Sequence, residues 1–343
     1  MDMKRIFILA VTVVVILSLL VGGKPTPAAA KHPIVNLELL GSSFGGSSYL
    51  NAFSMADILK KHHPWLRGSP RETFGSVDAL RTVGNDPALR KKALWCGADS
   101  TMWIATIGVT PFKKKYTGLK YVAFLKSHGE GYVTLNPNIK TKEDLIGKRV
   151  AQGPRGGGLG LMADMVLRDC YGLYDKVEAK YMDYTAAKNA LADGLVDAAY
   201  QWVDYVEGKY IPNRAITELM LTRKVYFVPV TQKDIDRGRK ASGLPYAVWL
   251  VPAKALGATQ PKDLPMFFTA NNNWCCYEDV PSEYIYEFVK AIADNDKLFK
   301  NYFYEGALIQ KKTIGQVPIN NENDVHPGAL KYFKEHGIKV GVK

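Results

Sequence analysis

Two glycine-rich stretches carry the residues whose types and spacing could do chemistry. Residues 41–48 read GSSFGGSS and residues 153–160 read GPRGGGLG, and each stretch leads into a run with helical spacing. Glycines at the entrance to a helix let backbone N–H groups approach an anion, and the helix N-terminus adds partial positive charge. The first stretch adds hydroxyl donors, from Ser42, Ser43, Ser47 and Ser48. The two stretches therefore predict a pair of binding loops for a small oxyanion such as a carboxylate.

The second stretch does not fit a nucleotide-binding loop. A Walker loop ends in Gly-Lys followed by Ser or Thr, whereas Gly160 is followed by Leu161 and Met162. The dinucleotide fingerprint also needs a ribose-binding acid that this stretch lacks. For one loop alone, a tight turn without a ligand is an equally good interpretation. Two such loops favour binding, because ligands bind at the carboxyl ends of strands in parallel α/β sheets.

Motifs of catalysis and of metal binding do not stand out in the sequence. Neither Cys-x-x-Cys nor His-Glu-x-x-His occurs. His62 and His63 are adjacent near a predicted helix end, so their side chains point apart, which is poor geometry for a metal. His326 precedes Pro327 at a helix start, where a structural role is expected. We therefore predict a binding protein, not an enzyme, with no metal and no cofactor.

The first thirty residues have the pattern of a cleavable signal peptide. Lys4 and Arg5 precede an apolar run over residues 6–21, and small residues before Lys31 suit a signal peptidase. A membrane anchor is the alternative interpretation, because the run is near the short limit of a bilayer span. The pattern predicts export to the periplasm.

Composition limits the partners of the exported chain. The formal net charge is +12, but the basic residues are dispersed and no nucleic-acid motif appears. A mild positive field that attracts small anions is therefore favoured over nucleic-acid binding. Buried free thiols are the expected state of the four cysteines, Cys96, Cys170, Cys275 and Cys276. One long-range disulfide among them is left open.

Each glycine-rich stretch lies between a predicted strand and a predicted helix. Residues 34–40 form an apolar strand, and the helix that follows the first stretch carries Ala52, Met55, Ala56 and Leu59 on one face. A strand at 149–152 precedes the second stretch, whose helix is expected to end at Gly172. This alternation predicts α/β domains with parallel sheets.

Two aromatic residues follow in the second unit. A helix capped by Thr185 is expected, and then a strand that ends near Tyr200 and Trp202. Tyrosine and tryptophan line many small-ligand clefts. Core packing is the default for both, and Trp202 is the better candidate to face a ligand because it stands at the end of the strand.

The chain after residue 30 resembles the TAXI solute receptors of tripartite ATP-independent periplasmic (TRAP) transporters. The likeness is carried by residues 41–49 (GSSFGGSSY), 72–83 (ETFGSVDALRTV), 145–173 with 186–200, and 317–338 with its His-Pro-Gly-Ala run. The resemblance implies a monomeric periplasmic binding protein that closes on a small organic acid and delivers it to a TRAP-type permease. The acid would be a carboxylate, with amino acids, keto acids and aromatic acids among the candidates.

The resemblance also implies a fold and its division. Each of two lobes is expected to be a mostly parallel sheet flanked by helices, type II-like, with the ligand cleft between them. Residues 1–30 would be the signal peptide, 31–130 the first part of lobe 1, 131–250 lobe 2, and 251–343 a return to lobe 1 with C-terminal helices.

Ligand contacts are implied position by position. In the first lobe they are Ser43, Gly46, Ser47 and Ser76, and in the second Gly157, Gly158, Leu159 and Trp202. Tyr200 joins them as a cleft candidate, and Asp99 and Arg155 join as residues where the chain departs from the family pattern. Because of these departures, glutamate is not assumed to be the ligand.

Two other classes of protein stay open. An ABC-importer receptor has the same fold and differs in its membrane partner. A periplasmic enzyme on this scaffold would need an ionisable cleft residue, for which Asp99, His128 and Arg155 are the candidates.

Overall fold

The structure, a computed structural model, describes residues 32–206, 208–268, 271–319 and 321–341. The predicted signal peptide, residues 1–30, lies outside these ranges. Within them, no helix combines the length and the apolar character that crossing a bilayer requires. All four cysteines are described, and each is a buried free thiol. The disulfide that the sequence left open is therefore not formed.

The regular elements follow one another from Val35 to Glu335. The strands are β1 (Val35–Leu40), β2 (Leu66–Arg71), β3 (Ala93–Ala98), β4 (Leu119–Thr134), β5 (Arg149–Gln152), β6 (Glu178–Tyr181), β7 (Ala198–Val206), β8 (Lys209–Pro212), β9 (Tyr226–Val228), β10 (Ala247–Val251), β11 (Leu264–Phe268) and β12 (Asn271–Tyr277). The helices are α1 (Ser47–His62), α2 (Ser76–Asn85), α3 (Pro87–Arg90), α4 (Asp99–Ile107), α5 (Gly158–Met165), α6 (Tyr184–Ala192), α7 (Arg214–Met220), α8 (Gln232–Ser242), α9 (Ser282–Asp294) and α10 (Pro327–Glu335).

The long strand β4 joins two lobes. The main sheet has the order β2-β1-β3-β12-β4-β7-β5-β6. The first half of β4 pairs with β12, and its second half pairs with β7, β9 and β11. We call β1–β3, β12 and the first half of β4 lobe I, and β5–β11 with the second half of β4 lobe II. The chain returns to lobe I at β12.

Parallel and antiparallel pairs have separate places in this sheet. The strands of the two predicted βα units are parallel, β1 with β2 and β3, and β5 with β6 and β7. The crossing strands β4 and β12 are antiparallel to their neighbours. The mixed α/β fold with two lobes is thus the predicted one, and its parallel strands end where the glycine-rich stretches begin.

Helices cover both faces of lobe I. In β1, Leu37 and Leu39 pack in one hydrophobic cluster and Leu40 in another, so the strand is buried on both faces. One cluster contains residues of α1, α9 and α10 against the sheet. The other continues into lobe II. Leu37, Leu39 and Leu40 supply the buried side chains of β1, whereas Asn36 is exposed and Glu38 is half-buried.

Local details differ from the sequence predictions at two helices. The predicted cap Thr185 is wrong, because Asp183 accepts hydrogen bonds from the N–H groups of Thr185 and Ala186. The predicted helix after the second glycine-rich stretch does end at Gly172, which has a left-handed φ of 70°, but its last turn, Val166–Tyr171, is a π-helix.

Candidate functional site

The second glycine-rich stretch touches the start of α2. The N–H of Asp78 donates to the carbonyl of Gly156 at 3.1 Å. A Cβ added to Gly75, whose φ is 123°, would lie 2.9 Å from Cα of Gly157. Side chains at these glycines would hold the two backbones apart. Lobes I and II therefore meet through glycines at this point.

A cavity of about 60 Å³ adjoins this contact, and we call it the inner cavity. It is lined from both lobes by Ser42, Ser47, Ser48, Gly75, Ser76, Cys96, Ala98, Lys126, His128, Glu130, Gly158, Leu159, Met162, Tyr184, Trp202 and Asn272. The first glycine-rich stretch and the second thus contribute to one enclosed space. Five of the predicted contact residues line it, namely Ser47, Ser76, Gly158, Leu159 and Trp202.

Four further candidates, Ser43, Gly46, Gly157 and Tyr200, are not among the lining residues. Gly46 is the N-cap of α1 and donates its N–H to the carbonyl of Ser43 at 3.1 Å. Gly157 is the N-cap of α5. Tyr200 is buried, and its hydroxyl donates to Glu130 at 3.2 Å. These residues support the cavity wall through its lining residues.

Arg155 is directed elsewhere. Its guanidinium carbon lies 3.8 Å from the ring centroid of Tyr181, and its side chain is exposed. Stacking on an aromatic face is a common arrangement for arginine. Arg155 is therefore not among the residues that line the inner cavity.

Asp99 lines a different cavity, of about 590 Å³, on the side of α4. Its carboxylate accepts from the N–H groups of Ser100 at 2.9 Å and Asn271 at 3.0 Å. Burial nevertheless raises the pKa of Asp99 to about 7. The neighbouring Ala98 lines the inner cavity, so the two cavities lie on either side of the end of β3.

The first stretch also has the Gly-x-Ser-x-Gly spacing of a hydrolase nucleophile, at residues 41–45. The Oγ of Ser43 is buried and has no hydrogen-bond partner among the described residues. An activated serine needs a base within hydrogen-bond reach. Ser43 therefore lacks the arrangement of a catalytic nucleophile.

Three charged or ionisable side chains of β4 line the cavity and were missed as ligand contacts. Lys126, His128 and Glu130 occupy every second position of the strand, so they share one face. Only His128 was considered from the sequence, and only as a catalytic candidate. The signal that could have found them is the alternation in FLKSHGEGY, because a strand with polar residues at period two inside a buried sheet needs a polar space beside it.

Lys126 is the buried cation of the site. Its ammonium lies 2.7 Å from Oδ1 of Asp204, and the side chains are 3% and 0% exposed. The pair lacks regular hydrogen-bond geometry, so the Lys126 Nζ has no hydrogen bond to any described residue. The other oxygen of Asp204 accepts from Trp202 Nε1 at 3.2 Å and from the Tyr304 hydroxyl at 3.3 Å. These two hydrogen bonds hold the Asp204 carboxylate in place, and the Lys126 ammonium keeps N–H donors that a ligand could accept from.

The other carboxylate of the lining is already bonded. Glu130 Oε1 lies 3.0 Å from His128 Nε2, and Oε2 accepts from Tyr200. His128 Nδ1 is buried and has no hydrogen-bond partner among the described residues. With Glu130 occupied on both oxygens, the groups of β4 that remain for a ligand are Lys126 Nζ and His128 Nδ1.

Three helices begin at the cavity without a side-chain cap. The first residues of α1, α2 and α5 line it, and none of these helices has a side chain that accepts from its first N–H groups. By contrast α6, α7 and α8 are capped by Asp183, Asn213 and Thr231. Uncapped N–H donors and the positive end of a helix suit an anion. The arrangement can thus bind an oxyanion with an ammonium, hydroxyls and backbone amides.

Within the described ranges, no three His, Cys, Asp or Glu side chains are grouped so as to hold a metal ion. The serine hydroxyls of the lining are neutral donors, and burial raises the pKa of the Tyr184 phenol to about 12, so it too is a neutral group. The lining therefore combines neutral donors with the Lys126 ammonium.

Comparison with solved structures finds proteins of similar fold. MatC from Rhodopseudomonas palustris, with bound malate, superposes with a TM-score of 0.50 at 12% identity over 80% of this chain and 90% of that chain. The periplasmic binding protein BugD superposes with a TM-score of 0.49 at 12% identity, over 90% of this chain and 100% of that chain. The alkanesulfonate-binding protein SsuA from Xanthomonas axonopodis pv. citri, bound to MOPS, superposes with a TM-score of 0.45 at 13% identity. The match covers 89% of this chain and 85% of that chain.

The sequence also matches a family model over nearly all of its described length. The chain belongs to the NMT1-like family, whose model matches residues 40–337. That match includes both glycine-rich stretches and the long strand β4. The chain is thus a two-lobed α/β protein of the NMT1-like family, with a cavity where the lobes meet.

Proposed function

We propose that this protein is a periplasmic receptor that captures a small organic anion and delivers it to a TRAP-type permease, as a receptor of the TAXI type. The observation that carries the proposal is Lys126, a buried ammonium that lines the cavity without a hydrogen bond of its own. A buried cation is costly unless it is paired. Asp204 supplies part of that pairing, and an anionic solute would complete it.

The solute's charged group would meet donors from both lobes. Ser47, Ser76 and the first amides of α1 and α2 belong to lobe I, and the first amides of α5 belong to lobe II. Trp202 would cover the apolar part of the solute. A ligand held from both sides stabilises the arrangement in which Gly75 and Gly157 touch, so binding and closure are coupled.

Delivery to a permease follows from the same coupling. A receptor whose lobes close on its solute can present a different surface when loaded, and only the loaded form should dock productively. The TAXI resemblance favours a TRAP permease over an ABC importer, and malate in MatC is an example of a carboxylate held by this fold. Permease genes beside the gene for this chain would decide between the two partners.

A thermal-shift screen of the mature protein tests the capture of an anion. Carboxylates, keto acids and acidic amino acids are added singly at a fixed pH. A solute at a hundred times its Kd should stabilise the folded state by about 2.7 kcal/mol, which is a readily measured rise in Tm. A flat response to every member of the three classes would contradict the proposal.

A further inference from the structure

The wall of the inner cavity that carries Trp202 has a second cavity on its other side. This outer cavity, of about 340 Å³, is lined by Ser47, Tyr184 and Trp202, which also line the inner cavity. We propose that the solute is an organic acid whose charged group occupies the inner cavity and whose apolar body extends past Tyr184 and Trp202 into the outer cavity. The inference rests on the proposed function and adds to it the size and shape of the solute.

Size is the first reason. The inner cavity, about 60 Å³, is far smaller than the 300–1,000 Å³ of most small-molecule sites, and on the same measure the outer cavity adds about 340 Å³. Together they provide about 400 Å³, which is within that range. The inner cavity alone therefore suits a carboxylate and little more.

The dividing wall is the second reason. The rings of Tyr184 and Trp202 meet edge to face, with centroids 5.1 Å apart at 81°. Trp202 is fixed from behind by its Nε1 bond to Asp204, and Lys126 Nζ lies 5.4 Å from its ring centroid. Aromatic edges and faces on the wall that the two cavities share suit contact with an apolar chain that leaves the polar inner cavity.

The lining of the outer cavity is the third reason. Lobe I contributes an apolar side, with Phe44, Leu50, Tyr302 and Phe303. Lobe II contributes Lys188 and Arg214, but both are already paired with Glu218, at 3.1 Å and 2.9 Å. Because Glu218 holds both cations, the surface that gains most by excluding water is the apolar side.

A series of acids with one head group and growing tails tests the extended site. Calorimetric titration of the mature protein would use acetate, butanoate, hexanoate and 3-phenylpropanoate. If the tail enters the outer cavity, Kd should fall about fourfold for each methylene that is buried. Equal affinity for acetate and hexanoate in the unaltered protein would overturn the extended site while leaving the inner anion site intact.

A variant that fills only the outer cavity gives the matched test. Ala215 lines the outer cavity and not the inner one, so Ala215→Trp should remove the gain from longer tails and leave acetate binding unchanged. Leu195→Trp is the control, because Leu195 is 62% exposed and lines neither cavity. A chain-length gain that persists in Ala215→Trp would overturn the inference. Failure of the unaltered protein to bind any acid of this series or of the thermal-shift screen would contradict the proposed function itself.

Discussion

Lys126 and Asp204 are the pair on which the site depends at the scale of single residues. Both are buried, and the second oxygen of Asp204 is bonded by Trp202 and Tyr304. A third ionisable group, Glu305, lies 3.9 Å from the Lys126 ammonium, and burial raises the pKa of Glu305. Breaking a buried pair by removing one partner leaves an uncompensated charge, whereas removing both can be nearly neutral. Stability and binding can therefore be separated by mutation.

Lys126→Met should abolish solute binding and destabilise the protein. The buried carboxylate of Asp204 would lose its cation, and the free energy of unfolding should fall by about 3–5 kcal/mol. Urea unfolding measures the stability and calorimetry measures the binding, with a solute identified by the screen.

The double variant Lys126→Met/Asp204→Asn provides the control. With both charges gone, most of the lost stability should return, but binding should not. Solute affinity equal to that of the unaltered protein in this double variant would show that the Lys126 ammonium has no part in holding the solute.

At the scale of elements, the three helices whose first residues line the inner cavity lack the side-chain caps of α6, α7, α8 and α10, and α4 and α9 lack such caps as well. The helices α1, α2 and α5 begin at the cavity without a side-chain cap, and α10 begins at His326 with one. His326 Nδ1 accepts from the N–H of Gly328 at 3.2 Å, and Nε2 lies 3.0 Å from the carbonyl of Val280. This histidine ties α10 to the start of α9, as the structural role predicted for it requires.

The stability of the protein should fall in mild acid because of His326. Burial lowers the pKa of His326 from 6.5 to about 4. Above pH 6.5 the ring is neutral in the folded and the unfolded chain. As the pH falls from 6.5 towards 4, the unfolded chain binds a proton that the folded chain does not, so unfolding is favoured by up to about 3 kcal/mol.

Urea unfolding at pH 7, 5.5 and 4 measures this dependence. His326→Asn keeps a residue that caps helices well and has no group that titrates here, so its stability should decline less between pH 7 and 4. The variant also loses the contact with Val280, which lowers its stability at every pH. The comparison is therefore between the changes in stability with pH, not between the stabilities themselves. An equal fall in the free energy of unfolding of the unaltered protein and of His326→Asn between pH 7 and 4 would show that His326 does not cause the pH dependence.

At the scale of the whole molecule, β4 both connects the lobes and supplies the charged wall between them. Its first half belongs to lobe I and its second half to lobe II, and Lys126, His128 and Glu130 span the change. The lobes meet again through Asp78 and Gly156. With β4 on one side of the cavity and a contact between glycines on the other, the structure has the two features that the proposed receptor would need in order to close around a solute.

A disulfide across the contact should lock the lobes together. A Cβ added to Gly158 would lie 3.9 Å from Cβ of Ser76, within the range that a disulfide needs. The double variant Ser76→Cys/Gly158→Cys should therefore crosslink under mild oxidation, as detected by mass spectrometry and thiol labelling.

The two single variants are the controls for this crosslink. The native cysteines are buried and free, so they should not compete for the new thiols. If the introduced cysteines label with maleimide in the double variant and never crosslink, the lobes do not meet in solution at this point.

Much of the fold could be predicted because its signals are local. The strands β1 and β5 and the helices α1 and α10 fall where apolar spacing, glycine and proline put them. The cap of α6 could not be read in the same way, since Asp183 and Thr185 are both good capping residues. The choice between them depends on where the chain turns, and the structure resolves it in favour of Asp183.

The sequence by itself determined the two lobes' parallel strands, the glycine-rich stretches that follow them, and five of the residues that line the inner cavity. The strands and the glycine-rich stretches follow from spacing along the chain, and the five lining residues follow from the resemblance to the TAXI receptors. Only the tertiary structure decided that Lys126, His128 and Glu130 face those stretches, and that Asp99 and Arg155 lie outside the inner cavity. The physical reason is that a site between lobes is built from contacts distant in sequence, and these depend on how β4 crosses between the lobes.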